Sequence, residues 1–501
     1  MNSDKLIEKN LILSSQSSKS QSLGSLTSGN LVSRKIYHIL KSHVMITPFV
    51  FSNMLSRGYR FKLIGITGTD GKTTTATMLY NILKNDGKKV ALITTIGFYK
   101  YDNTKKSKKN TIKNHDTLYQ DTLYQDTGLH TTTPSAYVIH KLLKSVKDYD
   151  FVILEVTSHA IDQKRIAGLR FDTIIYTNIT NEHLDYHKTW ERYATCKSNL
   201  RLYIKKEGNI ILNVDDIKSY NFLKSRFEEP RFKKPRFRKN ETLTYGIYHD
   251  ADFRAVNITE GSFDIKSKYL SLAIKTNLFG EYNISNALAA IAALYKYDIS
   301  LLSIQKTFAD FPEIKGRFEI LSKNPFTVVD FAHTPNAIYN VLENLSRYRD
   351  TRYQDTKYQD TKYQDTGLKK AKTEKNKISR IITIFGCPGE RDKEKRPMMG
   401  ESASLFSDII IITADDPRFD DLGDIYKQVV GGIDQHKFKK NVNLYRIDQR
   451  DQAILFALEI AGKNDIIAVL GKGHEKSMAV KDKEIKWNDS DFITQHLKKK
   501  S

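Results

Sequence analysis

A phosphate-binding loop is predicted at residues 65–74, which read Gly-Ile-Thr-Gly-Thr-Asp-Gly-Lys-Thr-Thr. Glycines let backbone N–H groups turn towards phosphate oxygens, and the start of a helix adds partial positive charge. Lys72 would contact the β- and γ-phosphates of a nucleotide, and the Thr73 hydroxyl would ligate Mg²⁺. The spacing departs from the strict G-x-x-x-x-G-K-T pattern, because Ile66 stands where that pattern has its first glycine. Nucleotide binding is still favoured over a glycine-rich turn without a ligand.

A short strand before this loop and a helix after it would hold the loop in place. Residues 62–66 are mostly apolar, and residues 74–83 carry apolar side chains at helical spacing. The pattern of a buried strand recurs at 90–95, 151–155, 173–176, 380–385, 408–413 and 465–470. Strands that alternate with helices favour parallel α/β sheets, whose ligand sites lie at the carboxyl ends of the strands.

The composition is that of a globular chain with more than one domain. The chain has 501 residues, and about 150 residues make a typical domain. Hydrophobic residues make up 40% and charged residues 28%, which excludes disorder throughout. Two cysteines exclude a disulfide framework and a four-thiolate zinc site. No apolar run has the length of a membrane span and no secretion signal is present, so we expect a cytoplasmic protein without membrane insertion.

The formal net charge of +22 raises the question of nucleic-acid binding. Lysine is spread along the whole chain, and no zinc finger, RRM signature or regular alternation of aromatic and basic residues occurs. We interpret the charge first as a solvated surface, and second as a positive field that attracts anionic substrates. We therefore expect no nucleic-acid partner. A nucleic-acid-binding protein would instead show binding that weakens steeply between low and moderate salt.

A pentapeptide repeat built on Tyr-Gln-Asp-Thr occurs at 119–129 and again at 353–368. A period of five is too short for stacked repeat units, and the sequence has too few apolar residues for a core. Both copies are predicted to be expanded surface loops, disordered or nearly so. A role in binding a partner is the less favoured alternative.

Six further sequence blocks make a family resemblance specific. They read EVTSH at 155–159, TNITNEHLDYH at 177–187, GRFE at 316–319, VDFAHTP at 329–335, FGCPGERD at 385–392 and GKGHE at 471–475. Together with the loop at 65–74, they resemble in order and spacing the Mur ligase superfamily, and within it the tripeptide synthetases. The superfamily also includes the folylpolyglutamate synthases and the cyanophycin synthetases. The resemblance covers the chain from about residue 61 to residue 490.

The resemblance implies a shortened N-terminal segment at 1–60, a central P-loop ATPase domain with a parallel sheet at 61–315, and a C-terminal Rossmann-like α/β domain at 316–501. It implies a ligase, expected to be a monomer, that joins an amino acid to the D-glutamate of UDP-N-acetylmuramoyl-L-alanyl-D-glutamate in peptidoglycan precursor synthesis. ATP would phosphorylate the carboxylate, and the amine would then attack the acyl phosphate. Phosphoryl transfer needs positive charge around the γ-phosphate, which Lys72, Arg317 and Mg²⁺ would supply.

The resemblance also assigns residues to ATP and metal. The ATP-binding set is Gly68, Thr69, Asp70, Gly71, Lys72, Thr73, Thr74, Asn286, Arg317, Asp330 and His333. The metal set, for two Mg²⁺ ions, is Thr73, Glu155, His183 and Lys197. Lys197 matches a lysine that most members carry as a carbamate, which turns a cation into a carboxylate-like ligand. With Lys72 and Arg317 it forms the predicted catalytic set. The simpler interpretations are a helix cap for Glu155, a satisfied buried histidine for His183 and a surface lysine for Lys197.

Two further sets match substrate contacts in the family. Thr132, Thr133, Pro134, Ser158, Gln163 and Arg165 match the muramoyl dipeptide site. Arg391, Asp415, Asp416, Arg418, Gly471 and Glu475 match the amino-acid pocket. Arg418, with Arg391, would bind the distal carboxylate of meso-2,6-diaminopimelate, a group that lysine lacks, and Glu475 would bind its distal amine. Asp416 stands where diaminopimelate-adding enzymes have asparagine.

Three alternatives stay open. The acceptor could be L-lysine, and diaminopimelate is favoured because Arg418 is present. The chain could be another Mur-type ligase, of the polyglutamate or cyanophycin kind, with a different acid substrate. It could also be a non-catalytic scaffold that binds a nucleotide. One observation argues against the scaffold, namely the joint presence of Lys72, Thr73, Glu155, His183 and Lys197.

Overall fold

The computed structural model describes residues 59–104, 123–125, 132–233, 239–362 and 379–500. All but the last two residues of the predicted N-terminal segment, 1–60, lie outside that part, as do 119–122 and 126–129 of the first pentapeptide repeat and 363–368 of the second. The described residues form two large sheets, one within 62–275 and the other within 319–470. No helix among them is long and apolar enough to cross a bilayer. The predicted α/β class is confirmed, and the domain boundaries stay predictions.

The central part, described from residue 59 to 315, contains an eleven-stranded sheet and eight α-helices in the residues that the structure describes. Its strands are β1 (Lys62–Thr67), β2 (Val90–Thr94), β3 (Gly97–Tyr101), β4 (Leu123–Gln125), β5 (Phe151–Glu155), β6 (Phe171–Tyr176), β7 (Ile204–Asn213), β8 (Glu241–Gly246), β9 (Phe253–Thr259), β10 (Ser262–Ser267) and β11 (Ser271–Lys275). Its helices are α1 (Lys72–Asn85), α2 (Ala136–Ser145), α3 (Ser158–Asp162), α4 (Leu184–His187), α5 (Trp190–Ser198), α6 (Ile217–Phe227), α7 (Glu281–Leu294) and α8 (Leu301–Ala309).

The centre of this sheet is parallel and buried on both faces. The strand order is β11-β10-β9-β8-β7-β6-β1-β5-β2-β3-β4, and β1 pairs in parallel with both β5 and β6. Apolar clusters cover the two faces, which explains why β2 and β5 are buried along their whole length. Later strands are added on either side of β1, so the carboxyl ends of β1, β5 and β6 surround a crevice that suits a ligand.

The C-terminal part, from residue 316 onward, repeats this design on a smaller scale. Its strands are β12 (Glu319–Lys323), β13 (Phe326–Asp330), β14 (Ile381–Phe385), β15 (Ile409–Ile412), β16 (Leu444–Arg446), β17 (Ile466–Leu470), β18 (Ser477–Val480) and β19 (Lys483–Lys486). Its helices are α9 (Pro335–Lys362), α10 (Lys395–Phe406), α11 (Leu422–Val430), α12 (Arg450–Ile460) and α13 (Asp489–Lys500). The main sheet has the order β12-β13-β17-β14-β15-β16, and β18 and β19 form a separate hairpin. Because β13, β17, β14 and β15 are parallel, the loops that follow them meet at one edge of the sheet.

Local sequence patterns predicted these strands well and the repeats poorly. Each of the seven predicted strands is present, with ends within two residues of the prediction. The loop prediction is wrong where the repeats are described, because α9 continues into the second copy and β4 lies in the first, paired with β3. The repeat unit contains neither glycine nor proline, so nothing in it stops a helix that has already formed.

A buried ion pair joins the last helix, α13, to the start of α12 and provides a stability prediction. Both carboxylate oxygens of Asp489 accept hydrogen bonds from Arg450, at 2.8 and 2.7 Å, and Trp487 donates a third at 2.7 Å. Neither side chain of the pair is exposed. Asp489→Asn should therefore lower the free energy of unfolding by about 3–5 kcal/mol, because it leaves the Arg450 charge buried without a counter-ion.

The matched control is the pair formed by Arg446 and Asp448, which has the same bidentate geometry at the surface, with side chains 38% and 46% exposed. Asp448→Asn should lower the free energy of unfolding by less than about 1 kcal/mol. Urea unfolding followed by tryptophan fluorescence measures both values. Equal costs for the two variants would contradict the importance assigned to burial.

Candidate active site

A cavity of about 760 Å³ lies between the central and C-terminal parts. The phosphate loop after β1 and the loop after β6 line it from one side, and the loop after β13 lines it from the other. Predicted site residues on its wall are Thr69, Asp70, Gly71, Lys72, Thr73, Thr74, Thr132, His183, Asn286, Arg317, Asp330, His333 and Arg391. The two halves of the predicted ATP site, far apart in sequence, therefore face one cavity.

The phosphate loop holds two lysine ammonium groups against its own backbone. Lys72 Nζ donates to the carbonyl oxygens of Gly68 at 3.1 Å and Thr69 at 2.6 Å. Lys197 Nζ, from α5, donates to the same Gly68 oxygen at 2.7 Å. The predicted catalytic lysines thus lie on either side of one carbonyl group, where they would meet the phosphates of a bound nucleotide.

Gly71 is required by the close approach of Asn286. Gly71 precedes α1 with φ 81°, and a Cβ atom built there would lie 2.3 Å from Asn286 Oδ1. Asn286 Oδ1 also accepts a hydrogen bond from the Thr75 hydroxyl at 3.3 Å. Helix α7, which carries Asn286, is therefore packed directly against the start of α1.

Gly71→Ala should raise the dissociation constant of an ATP analogue at least about tenfold, because the new methyl group must displace Asn286 and distort the loop. Gly87→Ala is the matched control, since Gly87 also has positive φ, at 73°, but a Cβ atom there would meet nothing within 4 Å. Fluorescence titration with a labelled ATP analogue measures both variants. Equal weakening by the two substitutions would contradict the role assigned to the close approach of Asn286.

The oxygen donors around Glu155 suit Mg²⁺. Glu155, at the end of β5, is fully buried; its Oε2 accepts from the Thr95 hydroxyl at 3.0 Å, and its Oε1 is buried without a partner. Thr73, at the start of α1, adds a hydroxyl group. Among the described residues, no three side chains of His, Cys, Asp or Glu form a ready cage for a metal. Mg²⁺ commonly takes one or two protein ligands and completes its shell with water and phosphate oxygens, so these donors fit it.

His183 differs from these donors because its ligand atom would be nitrogen. It follows β6 in a left-handed conformation, with φ 56°. Burial lowers the pKa of His183 to about 3, so the ring is neutral near pH 7 and has a free lone pair. Imidazole is a less usual ligand of Mg²⁺ than an oxygen donor. The fit of His183 to the predicted second ion is therefore weaker than that of Glu155.

Lys197 is placed where a neutral amine is favoured. Its side chain is 2% exposed, and its ammonium lies 4.6 Å from the centre of the Tyr193 ring. Burial, followed by the nearby charge of Lys72, lowers the pKa of Lys197 to about 7. The surface-lysine interpretation of Lys197 is wrong, because helix α5 turns this side chain towards the phosphate loop rather than towards solvent.

Direct contacts join the two parts of the cleft. Arg317 donates to the Thr73 hydroxyl at 3.2 Å, and its guanidinium stacks on the Phe331 ring at 4.4 Å. Asp70 accepts hydrogen bonds from Thr334 at 3.3 Å and from Asn336 at 3.2 Å. These contacts place the start of α9 against the phosphate loop.

Asp330 and His333 are the predicted ATP-binding residues of the C-terminal part that follow β13. Asp330 is bonded within the C-terminal part, whereas His333 contacts the central part. Asp330 accepts the backbone N–H groups of Phe318 at 2.6 Å and Ala332 at 2.7 Å, so its carboxylate organises its own loops. His333 Nε2 lies 3.0 Å from Glu182 Oε1, a contact between the two parts of the chain. Glu182 was missed by the sequence analysis, although it stands next to His183, because its partner is 151 residues away.

The predicted dipeptide residues form a cluster beside Glu155. The Thr133 hydroxyl donates to the Glu155 carbonyl oxygen at 3.0 Å, and Arg165 donates to the Thr133 carbonyl oxygen at 2.8 Å. Arg165 also makes two hydrogen bonds to Gln163 Oε1, at 2.9 and 2.6 Å. Ser158 Oγ lies 3.0 Å from His187 Nε2. Of the predicted dipeptide residues, Thr132 alone is among those that line the 760 Å³ cavity.

A second, smaller pocket of about 170 Å³ adjoins the first. The two share Glu182, His183, Phe331, His333 and Arg391 as wall residues. The predicted amino-acid residues all line the smaller pocket: Arg391, Asp415, Asp416, Arg418, Gly471 and Glu475. We call it the acceptor pocket. They come from the loops after β14, β15 and β17, which explains how blocks far apart in sequence reach one place.

Charges in the acceptor pocket are unevenly paired. Lys472 Nζ lies 2.7 Å from Asp416 Oδ1 and 2.5 Å from Glu475 Oε2. By contrast, Arg391 and Arg418 form no hydrogen bond or ion pair through their side chains within the described part of the chain, and Arg418 Nε is buried. Two guanidinium groups that make no hydrogen bond to a carboxylate therefore line a pocket large enough for an amino acid.

Comparison with known proteins agrees with this geometry. Residues 66–294 match the Mur ligase middle domain, and residues 365–473 match the Mur ligase, glutamate ligase domain. Over 447 residues the chain is 34% identical to UDP-N-acetylmuramoyl-L-alanyl-D-glutamate--2,6-diaminopimelate ligase of Clostridium botulinum, covering 87% of this chain and 78% of that protein. The chain belongs to the Mur ligase family. It is thus an ATP-dependent ligase of the kind that forms peptide bonds.

Solved structures of other Mur ligases share the fold. A pseudomurein peptide ligase type C from Methanothermus fervidus has a TM-score of 0.58 at 17% identity, covering 90% of this chain and 81% of that one. The MurF ligase from Thermotoga maritima in complex with ADP has a TM-score of 0.56 at 15% identity, covering 93% and 85%. At these identities the likeness shows the multidomain α/β architecture alone.

Proposed function

We propose that this Mur ligase adds meso-2,6-diaminopimelate to UDP-N-acetylmuramoyl-L-alanyl-D-glutamate in the synthesis of a peptidoglycan precursor. The names of the Clostridium botulinum relative and of a second relative from Clostridium acetobutylicum, also 34% identical, support this choice of substrates. The cytoplasmic location and the monomeric state stay predictions, as do the roles of individual residues described below.

The observation that carries the proposal is the pair of arginines in the acceptor pocket. Arg391 and Arg418 line the same 170 Å³ pocket, and neither side chain hydrogen-bonds to a carboxylate within the described part of the chain. Diaminopimelate carries a distal carboxylate that L-lysine lacks, and a guanidinium can bind a carboxylate through two hydrogen bonds. L-lysine has no distal carboxylate and would leave the Arg418 guanidinium, whose Nε atom is buried, without a partner, which costs free energy. The two arginines therefore favour diaminopimelate over L-lysine as the acceptor.

The reaction would begin with the D-glutamate carboxylate in the large cavity. A carboxylate oxygen attacks the γ-phosphorus of ATP, the bond between that phosphorus and the β,γ-bridging oxygen breaks, and ADP leaves. Lys72 and Arg317 would hold the phosphoryl group and balance its charge. Mg²⁺, held by Thr73 and Glu155, would neutralise phosphate charge when bound. We also propose a second ion near His183, and a carbamate on Lys197 as a further ligand.

The acceptor amine would then attack the acyl phosphate. The acceptor pocket opens at Glu182, His183, His333 and Arg391, which also line the large cavity, so the amine reaches the acyl carbon from the adjoining space. A C–N bond forms, the C–O bond to phosphate breaks, and inorganic phosphate leaves. The contacts between Asp70 and Thr334 would hold the cleft closed, which keeps water from hydrolysing the acyl phosphate.

Arg418→Ala should lower kcat/KM for diaminopimelate about a hundredfold and change the value for L-lysine less than about threefold, because a bidentate bond to the distal carboxylate is lost. Parallel assays with the two acceptors, by phosphate release and product mass, measure the ratio of kcat/KM for diaminopimelate to kcat/KM for L-lysine. Arg418→Lys keeps the charge without the bidentate geometry and should fall between wild type and Arg418→Ala.

Arg192→Ala is the matched control, since Arg192 is an exposed arginine of α5 that lines neither cavity. The ratio of kcat/KM for diaminopimelate to kcat/KM for L-lysine should be the same in Arg192→Ala as in the wild type. An unchanged preference for diaminopimelate in Arg418→Ala would overturn the assignment of Arg418. If the wild type used L-lysine but not diaminopimelate, the proposed ligase activity would stand and the proposed acceptor would be wrong.

A further inference from the structure

Phe331 lies where the two cavities meet, directly after β13. It is one of the five residues that line both the large cavity and the acceptor pocket, and the other four are all ionisable. Its ring contacts three side chains: the Arg317 guanidinium at 4.4 Å, the His333 ring at 4.4 Å and the His474 ring at 5.0 Å. An apolar ring among charged and titratable groups therefore calls for a physical explanation.

Arg317 is held by this ring and by one hydrogen bond. Its guanidinium donates to the Thr73 hydroxyl at 3.2 Å, and its Nε is buried without a hydrogen-bond partner. Within the described part of the chain, no carboxylate forms an ion pair with Arg317. A ring face attracts the cation without using its N–H groups, because these groups point outward in the plane of the guanidinium. The charge of Arg317 and most of its donors thus stay available for a phosphoryl group.

A carboxylate in the place of the ring would have the opposite effect. Arg450 shows this, because it donates two hydrogen bonds to Asp489, at 2.8 and 2.7 Å, and its charge is balanced there. An arginine that serves phosphoryl transfer must be ordered and must keep its charge for the transition state. Stacking on an uncharged ring meets both requirements.

The backbone around Phe331 leaves the ring little freedom to move. The Phe331 N–H donates to the Gly316 carbonyl oxygen at 3.0 Å, and a Cβ atom built at Gly473 would lie 2.7 Å from Phe331 Cβ. A Cβ atom at Gly316 would lie 2.0 Å from the backbone nitrogen of His474. Three loops thus pack at distances that only glycine allows. The position of the ring is therefore set by the fold and not by Arg317.

We propose that Phe331 is a positioning residue for phosphoryl transfer, whose ring holds the Arg317 guanidinium over the start of α1, where the phosphoryl group is transferred. This rests on the proposed function. The ring keeps Arg317 in one place while negative charge shifts from ATP towards the D-glutamate carboxylate. Without the ring, Arg317 would stay charged but lose its fixed orientation, so the chemical step would slow although both substrates still bind.

The test measures kcat and KM by phosphate release with full-length wild type and Phe331 variants. Phe331→Leu should lower kcat about thirtyfold and change KM for ATP and for diaminopimelate less than about threefold, because the cation–π contact is lost and an apolar side chain remains. Phe331→Met, a second apolar side chain without a ring, should lower kcat as much as Phe331→Leu. Phe331→Tyr keeps the ring and should retain at least about half of kcat.

A double variant shows whether Phe331 acts through Arg317. Arg317→Ala removes the guanidinium and should lower kcat on its own. Adding Phe331→Leu to Arg317→Ala should lower kcat by less than about threefold more, because no guanidinium is left to position. A merely structural role of the ring would instead give the same loss of kcat with and without Arg317.

Phe227→Leu is the matched control, since the Arg201 guanidinium also lies 4.4 Å from the centre of the Phe227 ring and neither residue lines a cavity. It should keep the kcat of the wild type, and urea unfolding checks that each variant is folded. An unchanged kcat in Phe331→Leu, or an equal loss with and without Arg317, would overturn the inference and leave the ligase intact. Absence of turnover by the wild type with every acceptor would overturn the proposed function itself, and this inference with it.

Discussion

Lys72→Met should lower kcat/KM for ligation about a thousandfold, because the variant loses the positive charge next to the phosphoryl group that is transferred. Lys72 Nζ donates to the carbonyl oxygens of Gly68 and Thr69, at 3.1 and 2.6 Å, so the ammonium is already held inside the loop that would cradle the phosphates. Methionine keeps much of the volume of the side chain and has no charge. Phosphate release at saturating acceptor measures the effect.

Lys141→Met is the control for this prediction, because Lys141 is an exposed lysine of α2 and lines neither cavity. The control should have the kinetics of the wild type. Binding of an ATP analogue should weaken in Lys72→Met much less than turnover falls, since the charge acts most strongly on the transition state. A variant that kept one tenth of the wild-type rate would contradict the role of Lys72.

Lys197→Ala should lower kcat at least about a hundredfold, and short carboxylic acids such as acetate should restore part of it if a carbamate on Lys197 acts as a metal ligand. The chemistry requires a neutral amine, which attacks carbon dioxide, forms an N–C bond and releases a proton. Burial and then the charge of Lys72 lower the pKa of Lys197 to about 7, so the neutral amine is far more accessible at pH 7 than in an ordinary lysine. An ordinary lysine is almost entirely protonated there.

Lys206→Ala removes an exposed lysine of β7 and should leave the rate unchanged, with no response to acetate. The rescue experiment compares the two variants over a range of acetate concentrations at fixed ionic strength. Full activity of Lys197→Ala would contradict any role for this residue. A low rate that acetate does not raise would contradict the carbamate and leave a structural role through the Gly68 carbonyl oxygen.

Much of the fold could be predicted because it is encoded locally. The buried parallel strands are short apolar runs bounded by turns, so β5 was predicted at its observed bounds, Phe151–Glu155. The phosphate loop follows from glycines and a lysine within ten residues of sequence. Local signals were ambiguous in the pentapeptide repeats, and there the prediction was wrong. Helix α9 begins at Pro335, well before the second repeat, and the repeat contains no residue that would end it.

The contacts between the two parts of the chain could not be predicted from one sequence. Asp70 meets Thr334 across 264 residues, and Glu182 meets His333 across 151 residues. Such pairs depend on how the loops after β1, β6 and β13 are brought together, and neither partner carries a local signal for the other. The uneven charge pairing of the acceptor pocket likewise emerges only when Lys472 is seen between Asp416 and Glu475.

The most direct test of the account follows oxygen from the carboxylate to phosphate. UDP-N-acetylmuramoyl-L-alanyl-D-glutamate with ¹⁸O in the free carboxylates of D-glutamate would be incubated with the protein, ATP, Mg²⁺ and diaminopimelate, and phosphate and product would be analysed by mass spectrometry. The account predicts that each peptide bond formed places a single ¹⁸O atom in inorganic phosphate. Product formation with unlabelled phosphate would contradict activation of the carboxylate by ATP in this cleft.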